Sequence, residues 1–282
     1  MRWIVSLSGV FLLPCMAMTA AAPLAVRVDS QDAGIQLPGY WFPAATGRGA
    51  AVVALHGCGG LQVNKGRLGP AQLRYAKELN DAGIGVLFTE SFEPRGEKSI
   101  CSQKPGSRAI TEEHRRLDAY GALAWLASQP GVDAHRLGLV GWSHGGQTVL
   151  SSADRTRDVV ANAAVKPAAL VAFYPGCNSI DKTAAFAPVA PLLVMSGALD
   201  DWTPAATCRR AMARLAGRSG APVAEYLEYP GSYHGFDSAL PPRERSDVGG
   251  TKSGKATVGG NPVARDESML ALLRFLKTHL MD

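Results

Sequence analysis

A serine on a glycine-bounded turn is the feature of this sequence that points most directly to chemistry. Residues 141–146 read Gly-Trp-Ser-His-Gly-Gly and follow the apolar run Leu137–Val140. An apolar strand, a G-x-S-x-G segment and a following helix place the serine hydroxyl on a sharp turn above the end of a sheet. Gly141 and Gly145 suit this turn, because the outgoing helix passes close to the incoming strand. The pattern makes Ser143 a candidate nucleophile, although an ordinary strand-to-helix turn can carry the same letters.

A serine hydroxyl needs a base to take its proton, and that base is normally a histidine oriented by a carboxylate. His234 follows the last predicted strand, in the turn-like segment 230–236. We predict that it is the general base. The other five histidines are less well placed, because they lie on predicted helices, before the serine strand, at a strand end, or beside the serine itself; they are His114, His279, His135, His56 and His144.

Two neighbouring aspartates compete for the role of orienting acid. Both follow the predicted strand Leu192–Ser196. When a G-x-S-x-G serine is a nucleophile, the acid that orients its histidine comes after a late strand of this sort, between the serine and the histidine in the sequence. Asp200 sits on the turn itself, whereas Asp201 is placed to cap a helix that starts near Pro204. We therefore favour Asp200. Aspartate is also a common turn former, so both residues have an alternative structural role.

Ester-type chemistry also needs two positioned donors for a developing oxyanion. The first predicted donor is the backbone N–H of His144, which begins a helix whose dipole favours negative charge. The second comes from the loop 56–60, which reads His-Gly-Cys-Gly-Gly after the strand Ala51–Leu55. This loop resembles the H-G-G-G type of oxyanion loop. The Cys58 N–H is the first candidate there and Gly59 the next, and a plain glycine-rich turn is the alternative.

Three further side chains are candidates for substrate contact. Arg95, in the segment 91–96 after a strand, is predicted to hold an anionic group of the substrate by a bidentate contact. It could equally bond loop carbonyls or Glu93. Trp142 and Trp202 flank the predicted nucleophile and acid, where they either line the pocket or pack in the core.

The elements that must position these residues alternate between strand-like and helix-like sequence. The predicted strands are Leu24–Val28, Tyr40–Pro43, Ala51–Leu55, Gly85–Phe88, Leu137–Val140, Ala168–Tyr174, Leu192–Ser196 and Val223–Tyr229. The predicted helices are Pro70–Ala82, Thr111–Ser128 with Thr111 as N-cap, Pro204–Ala216 and Arg265–Met281. Short apolar strands separated by helices indicate an α/β protein with a mainly parallel central sheet and helices on both faces. Ligands of such sheets bind beyond the carboxyl ends of the strands.

Composition and the two ends of the chain set broader limits. The chain has 282 residues, 46% hydrophobic and 19% charged, with a formal net charge of +5 spread along it. This fits one α/β domain over 23–282, although two smaller domains would also fit the length. The spread charge indicates neither a nucleic-acid nor a membrane-surface partner. The polar, glycine-rich segment 238–261 is predicted to be a long surface loop, acting as a lid or substrate contact, or disordered.

Residues 1–22 have the pattern of a secretory signal peptide, with a basic start, a short apolar stretch and small residues before the cleavage region. We therefore expect an exported, periplasmic or secreted protein with no integral membrane segment after the signal is removed. Four cysteines then remain, namely Cys58, Cys101, Cys177 and Cys208. An even number in an oxidising compartment suggests two disulfides, with three connectivities open and four free thiols as the alternative. No C-x-x-C pair occurs, which argues against zinc or thioredoxin chemistry.

Together these motifs resemble the dienelactone hydrolase family of the α/β-hydrolase superfamily. The segments that carry the resemblance are 55–60, 141–146, 197–200 and 233–236, and the closing Tyr-His-Gly-Phe is the most specific. The resemblance implies an α/β-hydrolase fold, a Ser143–His234–Asp200 triad, no metal and no organic cofactor. The founding enzymes carry a cysteine nucleophile and are cytoplasmic, so a general carboxylic ester is the expected substrate rather than a dienelactone.

The cysteines fit the topology that this resemblance implies, with the pairings Cys58–Cys101 beside the oxyanion loop and Cys177–Cys208 beside the acid turn. The expected partner is a small-molecule ester, with no nucleic acid involved. Two other functions stay open on the same scaffold: a peptidase or acyltransferase, and a binding protein that kept the fold without catalysis. The oligomeric state is not indicated.

Overall fold

Uninterrupted apolar runs form the centre of an eight-stranded sheet. A computed structural model describes residues 23–44, 49–61, 63–64, 66–218 and 220–282, so the predicted signal peptide lies outside the described residues. The strands of this sheet are β1 (Leu24–Asp29), β2 (Gln36–Phe42), β3 (Ala51–Leu55), β6 (Gly85–Thr89), β7 (Leu137–Trp142), β8 (Ala169–Phe173), β9 (Leu192–Gly197) and β10 (Ala224–Tyr229). Two short strands, β4 (Val63–Asn64) and β5 (Arg67–Leu68), pair separately.

The spatial order of the sheet is β1-β2-β6-β3-β7-β8-β9-β10. Every pair from β6 to β10 is parallel, and only β1 and β2 run antiparallel to their neighbours. Strands β3, β6, β8 and β9 are buried along their whole length. Because both faces of such strands are covered, their sequences are continuously apolar rather than alternating. The prediction of a mainly parallel sheet is confirmed.

Helices cover both faces of the sheet, as predicted. They are α1 (Pro70–Asp81), α2 (Glu112–Ala127), α3 (His144–Ala153), α4 (Asp158–Ala161), α5 (Asn178–Lys182), α6 (Ala205–Ala216) and α7 (Pro262–Leu280), with a 3₁₀ turn at Glu93–Arg95. One apolar core packs α2, α3 and α6 against one face of the sheet. A second core packs α1 and α7 against the other. No helix in the described ranges has the length and apolar character needed to cross a membrane.

A capping box at the start of α2 fixes where that helix begins. The Thr111 hydroxyl accepts a hydrogen bond from the amide of Glu113, and the amide of Thr111 donates to Nδ1 of His114. These bonds satisfy amides that have no partner inside the helix. His114 therefore has a capping role and is only half-exposed, rather than a solvated residue on a helix face.

The segment 238–261 is not the structureless loop that its composition predicts. It contains an antiparallel hairpin of β11 (Arg243–Ser246) and β12 (Lys255–Val258). Its polar sequence gave no apolar alternation, because β11 is exposed along its whole length. Contacts with distant residues hold it instead: the Gly259 amide donates to the His234 carbonyl at 2.9 Å, and the Gly249 amide donates to the Cys101 carbonyl at 2.7 Å.

Both predicted disulfides are present, joining Cys58 to Cys101 and Cys177 to Cys208. The first links the loop after β3 to the loop after β6. The second links the segment after β8 to the first turns of α6. Each bond therefore ties together two chain segments that emerge at the carboxyl edge of the sheet.

Candidate active site

Ser143 occupies the tight turn between β7 and α3 in a strained backbone conformation. Its φ and ψ angles are 55° and −116°, a region that costs on the order of 1–3 kcal/mol for a residue with a side chain. Backbone crowding explains the glycines of the motif. A Cβ at Gly141 would collide with the Gly145 carbonyl, and a Cβ at Gly145 would collide with the carbonyl of Leu55. The Ser143 amide donates to the Phe173 carbonyl at 2.9 Å, so the neighbouring strand β8 holds the turn in place.

The structure brings the three predicted triad side chains into one hydrogen-bonded row. His234 Nε2 lies 2.9 Å from Ser143 Oγ, and His234 Nδ1 lies 2.9 Å from Asp200 Oδ2. Histidine and aspartate are both buried. The Asp200 carboxylate accepts a hydrogen bond from the Nδ1–H, which leaves the lone pair of Nε2 directed at the serine hydroxyl. This is the geometry in which a histidine can take a proton from serine.

Asp200 and Asp201 have different partners, which separates the two candidates for the acid. Asp200 Oδ1 accepts hydrogen bonds from the amides of Trp202 and Thr203, at 2.9 and 2.7 Å. Asp201 points the other way and accepts from the amide and hydroxyl of Thr257, at 2.8 and 3.0 Å. Its alternative role as a cap of α6 is not observed, because that helix starts after Pro204 without a side-chain cap. Asp201 instead fastens β12 to the acid turn.

Thr203 is a part of this arrangement that the sequence did not indicate. Its hydroxyl lies 2.9 Å from Asp200 Oδ2, 3.1 Å from His234 Nδ1 and 3.0 Å from the carbonyl of Tyr174. The hydroxyl thus holds the carboxylate from a third direction. The one available signal was a threonine three residues after an aspartate, a spacing common in simple turns.

Asp237 anchors the loop that carries His234. Its carboxylate accepts hydrogen bonds from the hydroxyls of Tyr75 and Tyr174, at 2.6 and 2.8 Å. Burial, reinforced by the Asp237 charge, raises the pKa of both tyrosines well above its ordinary value, so both stay protonated donors. The Tyr174 ring also packs edge-on against the His234 imidazole, with 4.7 Å between centroids. These contacts hold the imidazole and its loop in place, and nothing in the sequence indicated them.

The loop 56–60, predicted to supply the second oxyanion donor, lies beside Ser143. A Cβ built on Gly57 would lie 3.5 Å from the Cβ of Ser143. The Cys58 carbonyl accepts from the Ile100 amide at 2.9 Å and from the Ser99 hydroxyl at 3.2 Å, while the side chain is bonded to Cys101. Residues 99–101, on the loop after β6, therefore hold this loop in place. The other predicted donor, the amide of His144, belongs to the first residue of α3, and such amides have no acceptor within their own helix.

Glu90 and His56 hold the two ends of this loop. The Glu90 carboxylate accepts from the amides of Leu61 and Phe92, at 2.5 and 2.6 Å, and lies 3.3 Å from His56 Nε2. Burial opposes ionisation of Glu90, but His56 and the two amides outweigh it and lower its pKa to about 2. Burial, together with the charge of Arg115, lowers the pKa of His56. His56, which lies at the end of β3, therefore has a structural role.

A cavity of about 420 Å³ opens in front of Ser143 and His234. Trp142 and Trp202 both line it, and Trp142 also packs against Tyr75 and Phe173 in the core, so the two predicted roles are not exclusive. The hairpin supplies part of the wall with Arg243 and Arg245, and the Arg245 guanidinium lies 5.3 Å from the centroid of the Trp202 ring. Neither arginine was indicated by the sequence, because a basic residue in a polar segment usually faces solvent.

Arg95 does not have the predicted contact with substrate. Its guanidinium donates to the Asp118 carboxylate at 2.8 and 2.9 Å, to Asp32 at 2.7 Å and to the Ser91 carbonyl at 2.7 Å. The side chain is 10% exposed and is paired away from the cavity lining. The alternative interpretation, an arginine engaged with its own loop, was closer, although its partners are Asp118 and Asp32 rather than Glu93. Within the described ranges, no group of three His, Cys, Asp or Glu side chains is arranged to hold a metal ion.

The strand order and the helices on both faces of the sheet form the α/β-hydrolase fold. Residues 42–280 match the dienelactone hydrolase family, and the chain belongs to that family. An uncharacterized protein of Mycobacterium tuberculosis is 27% identical over 258 residues, covering 84% of this chain and 81% of its own length.

Two solved structures show the same fold. A dienelactone hydrolase-like promiscuous phosphotriesterase from metagenomic libraries has a TM-score of 0.63 and 20% identity, covering 92% of this chain and 99% of its own. Esterase 2 of Thermogutta terrifontis, solved after phosphoramylation by tabun, has a TM-score of 0.62 and 16% identity. That comparison covers 94% of this chain and 97% of the esterase.

Proposed function

We propose that this protein is a serine hydrolase that cleaves carboxylic esters through an acyl-enzyme. The observation that carries the proposal is the row Ser143–His234–Asp200, with 2.9 Å at each step, at the end of a 420 Å³ cavity. Family membership and the esterase and phosphotriesterase neighbours support a hydrolase. The serine in the nucleophile position favours ester chemistry, since a hydroxyl activated by a histidine is the usual nucleophile of acyl transfer.

In the first half of the reaction, Ser143 Oγ attacks the ester carbonyl while His234 Nε2 takes the hydroxyl proton. The carbonyl oxygen becomes an oxyanion, and the amides of His144 and Cys58 donate to it. Asp200 stabilises the imidazolium through its hydrogen bond with Nδ1. His234 then gives its proton to the departing alcohol oxygen, the carbon–oxygen bond breaks, and the acyl group remains on Ser143.

In the second half, water replaces the alcohol. His234 Nε2 takes a proton from the water, whose oxygen attacks the acyl carbonyl. The same two amides stabilise the second oxyanion. The ester bond to Ser143 breaks, the proton returns to Oγ, and a carboxylic acid leaves. The proton transfers between Ser143 and His234 use groups that already lie within hydrogen-bond distance of each other.

Hydrolysis of short p-nitrophenyl esters by the wild type and by Ser143→Ala tests the proposal. We expect the variant to lose at least about 10⁴-fold in kcat/KM, since the remaining groups provide binding but no nucleophile. A fluorophosphonate probe should label the wild type and not the variant. Equal ester hydrolysis by both proteins would overturn the assignment. Labelling of the wild type without ester hydrolysis would favour a peptidase or acyltransferase, and neither labelling nor hydrolysis would favour a binding protein.

We also propose that residues 1–22 direct export and that residues 23–282 form the hydrolase domain. The four cysteines outside this segment are joined in two disulfides, which persist in oxidising compartments. Expression of the full chain in a Gram-negative host, followed by N-terminal sequencing of the periplasmic fraction, tests both points. A full-length protein confined to the cytoplasm would contradict the export proposal.

A further inference from the structure

Arg115 is buried to an extent that is unusual for a charged side chain. It lies on α2, is fully inaccessible and is the largest fully buried side chain in the described part of the chain. Among the described residues no carboxylate lies within 4.0 Å of it. Burial lowers the pKa of Arg115 to about 10, so the guanidinium still carries its charge at neutral pH. A buried cation costs folding free energy, and the charges of Asp118, Glu90 and Glu112 offset that cost without direct contact.

The two ends of the Arg115 fork bind the two segments that carry the oxyanion donors. Nη2 donates to the His56 carbonyl at 2.8 Å, immediately before the loop 57–60. Nη1 lies 2.8 Å from Nδ1 of His144, the residue whose own amide is the other donor. Arginine has no acceptor, so this nitrogen of His144 is the one without a proton. One rigid, planar group therefore connects both donor segments.

The imidazole of His144 is suited to this contact. Its Nε2 lies 3.2 Å from Glu112 Oε1, so the proton belongs on the side facing that carboxylate. Burial lowers the pKa of His144 to about 4, with the Arg115 charge acting in the same direction and Glu112 against it. The neutral ring can therefore accept from Arg115 at neutral pH. The aromatic face of Phe92, 5.1 Å from the guanidinium carbon, covers the cation on another side.

We propose that Arg115 is a positioning residue of the oxyanion site: its guanidinium fixes the separation of the loop 56–60 from the N-terminus of α3, and hence of the Cys58 and His144 amides. The inference rests on the proposed function, because it assigns Arg115 a role only in a reaction that forms an oxyanion at Ser143. Donors must be placed where charge develops, and small displacements of such groups are expensive in rate. A planar fork suits this task better than a single ammonium point charge.

Arg116 offers a matched control on the same helix. It is also nearly buried, and its Nη1 donates to the Ser151 hydroxyl of α3 at 2.7 Å. It therefore joins the same two helices as Arg115, but about two turns beyond the nucleophile. A substitution at Arg116 reproduces the loss of a buried α2–α3 contact without touching the predicted oxyanion donors.

The test compares Arg115→Met and Arg115→Lys with Arg116→Met, using p-nitrophenyl ester kinetics and thermal unfolding. We expect Arg115→Met to lower kcat by about 10²-fold with KM changed by less than about threefold, the signature of an interaction lost in the transition state. A boronic acid, which forms a tetrahedral anion on serine, should lose affinity in the same proportion. Arg115→Lys should recover only part of the loss, because one ammonium cannot occupy both ends of the fork. Arg116→Met should keep kcat within about twofold.

A folded Arg115→Met protein with wild-type kcat, or one whose kcat loss matches that of Arg116→Met, would overturn the inference. If Arg115→Met does not fold, Arg115→Lys decides: wild-type kcat and boronate affinity in that variant would contradict the positioning role. Failure of the proposed function looks different, since the wild type itself would then hydrolyse no ester. If Ser143→Ala abolishes ester hydrolysis but Arg115→Met leaves it unchanged, the proposed function stands and only the role of Arg115 is contradicted.

Discussion

The site contains histidine–carboxylate contacts of two kinds. On one side, His234 and Asp200 form an acid–base pair with 2.9 Å between Nδ1 and Oδ2. On the other side, a group of buried residues surrounds Arg115, with His144 3.2 Å from Glu112 and His56 3.3 Å from Glu90. We call these five residues the Arg115 cluster. The distances are similar, yet only His234 reaches the serine hydroxyl.

The difference between the two sides lies in the third group that each histidine contacts. The free nitrogen of His234 faces Ser143 Oγ, so a proton can arrive there and leave again. The nitrogens of His144 face Arg115 and Glu112, and the charge on Arg115 disfavours a second cation. A carboxylate beside a histidine therefore does not by itself indicate a general base. What the other ring nitrogen touches decides whether the pair moves protons or holds backbone in place.

The largest expected effect is on kcat, and it should differ between substitutions of the two carboxylates Asp200 and Glu112. Asp200→Asn should lower kcat by about 10⁴-fold, because an amide beside Nδ1 favours the wrong histidine tautomer. Glu112→Gln should lower it by less than about 10-fold, because Glu112 lies beside His144 and contacts neither the Ser143 hydroxyl nor His234. Steady-state kinetics on one ester, with circular dichroism as a check of folding, measures both. Equal losses of kcat in Asp200→Asn and Glu112→Gln would contradict the assignment of acid–base chemistry to the His234–Asp200 pair alone.

A smaller effect concerns the pH dependence of stability. The pKa of His144 is about 4 in the folded chain and about 6.5 in an unfolded one. Between these values the unfolded chain takes up a proton that the folded chain refuses, so stability is lost as the pH falls. For this one residue, the free energy of unfolding should fall by about 2 kcal/mol between pH 7 and pH 4.5.

Urea unfolding at several pH values, for the wild type and for His144→Asn, measures this contribution. Asparagine does not titrate, so the variant should lose less stability over the same interval. Glu112 and Glu90 have pKa values of about 2 in the folded chain and about 4.5 in the unfolded one, so an interval that ends at pH 4.5 keeps their own contribution small. Parallel pH dependences in the two proteins would contradict a neutral, buried His144.

The smallest expected effect concerns Asp201, the residue next to the proposed triad acid Asp200. Asp201→Ala removes the contacts with Thr257 and leaves Asp200 in place. We expect kcat to stay within about threefold and KM to rise, because the hairpin that lines the cavity loses a charge-assisted anchor. Hydrogen exchange at the Thr257 amide should accelerate. A loss of kcat comparable with that of Asp200→Asn would mean that the two aspartates share the role.

Much of the arrangement of Ser143, His234 and Asp200 could be predicted from the sequence, because each residue lies in a short segment directly after a recognisable strand. The apolar runs identified the strands, and the glycines at 141 and 145 identified the turn at Ser143, where backbone crowding leaves no room for a side chain. The positions of Asp200 and His234 follow from the rule that the loops after successive strands meet at one edge. The same topology brought the four cysteines together in the expected pairs.

The Arg115 cluster and the hairpin were decided only by the tertiary structure. Arg115 contacts residues 59 and 29 positions away, and Asp201 contacts Thr257 across 56 positions. Neither helical periodicity nor strand alternation carries information about such partners. Arg95 shows the same limit from the other direction: its position after a strand predicted a substrate contact, but Asp118, 23 residues along the chain, binds its guanidinium instead. Local sequence thus determined the strands and the serine turn, whereas long-range packing determined which charged groups are buried and what each one holds.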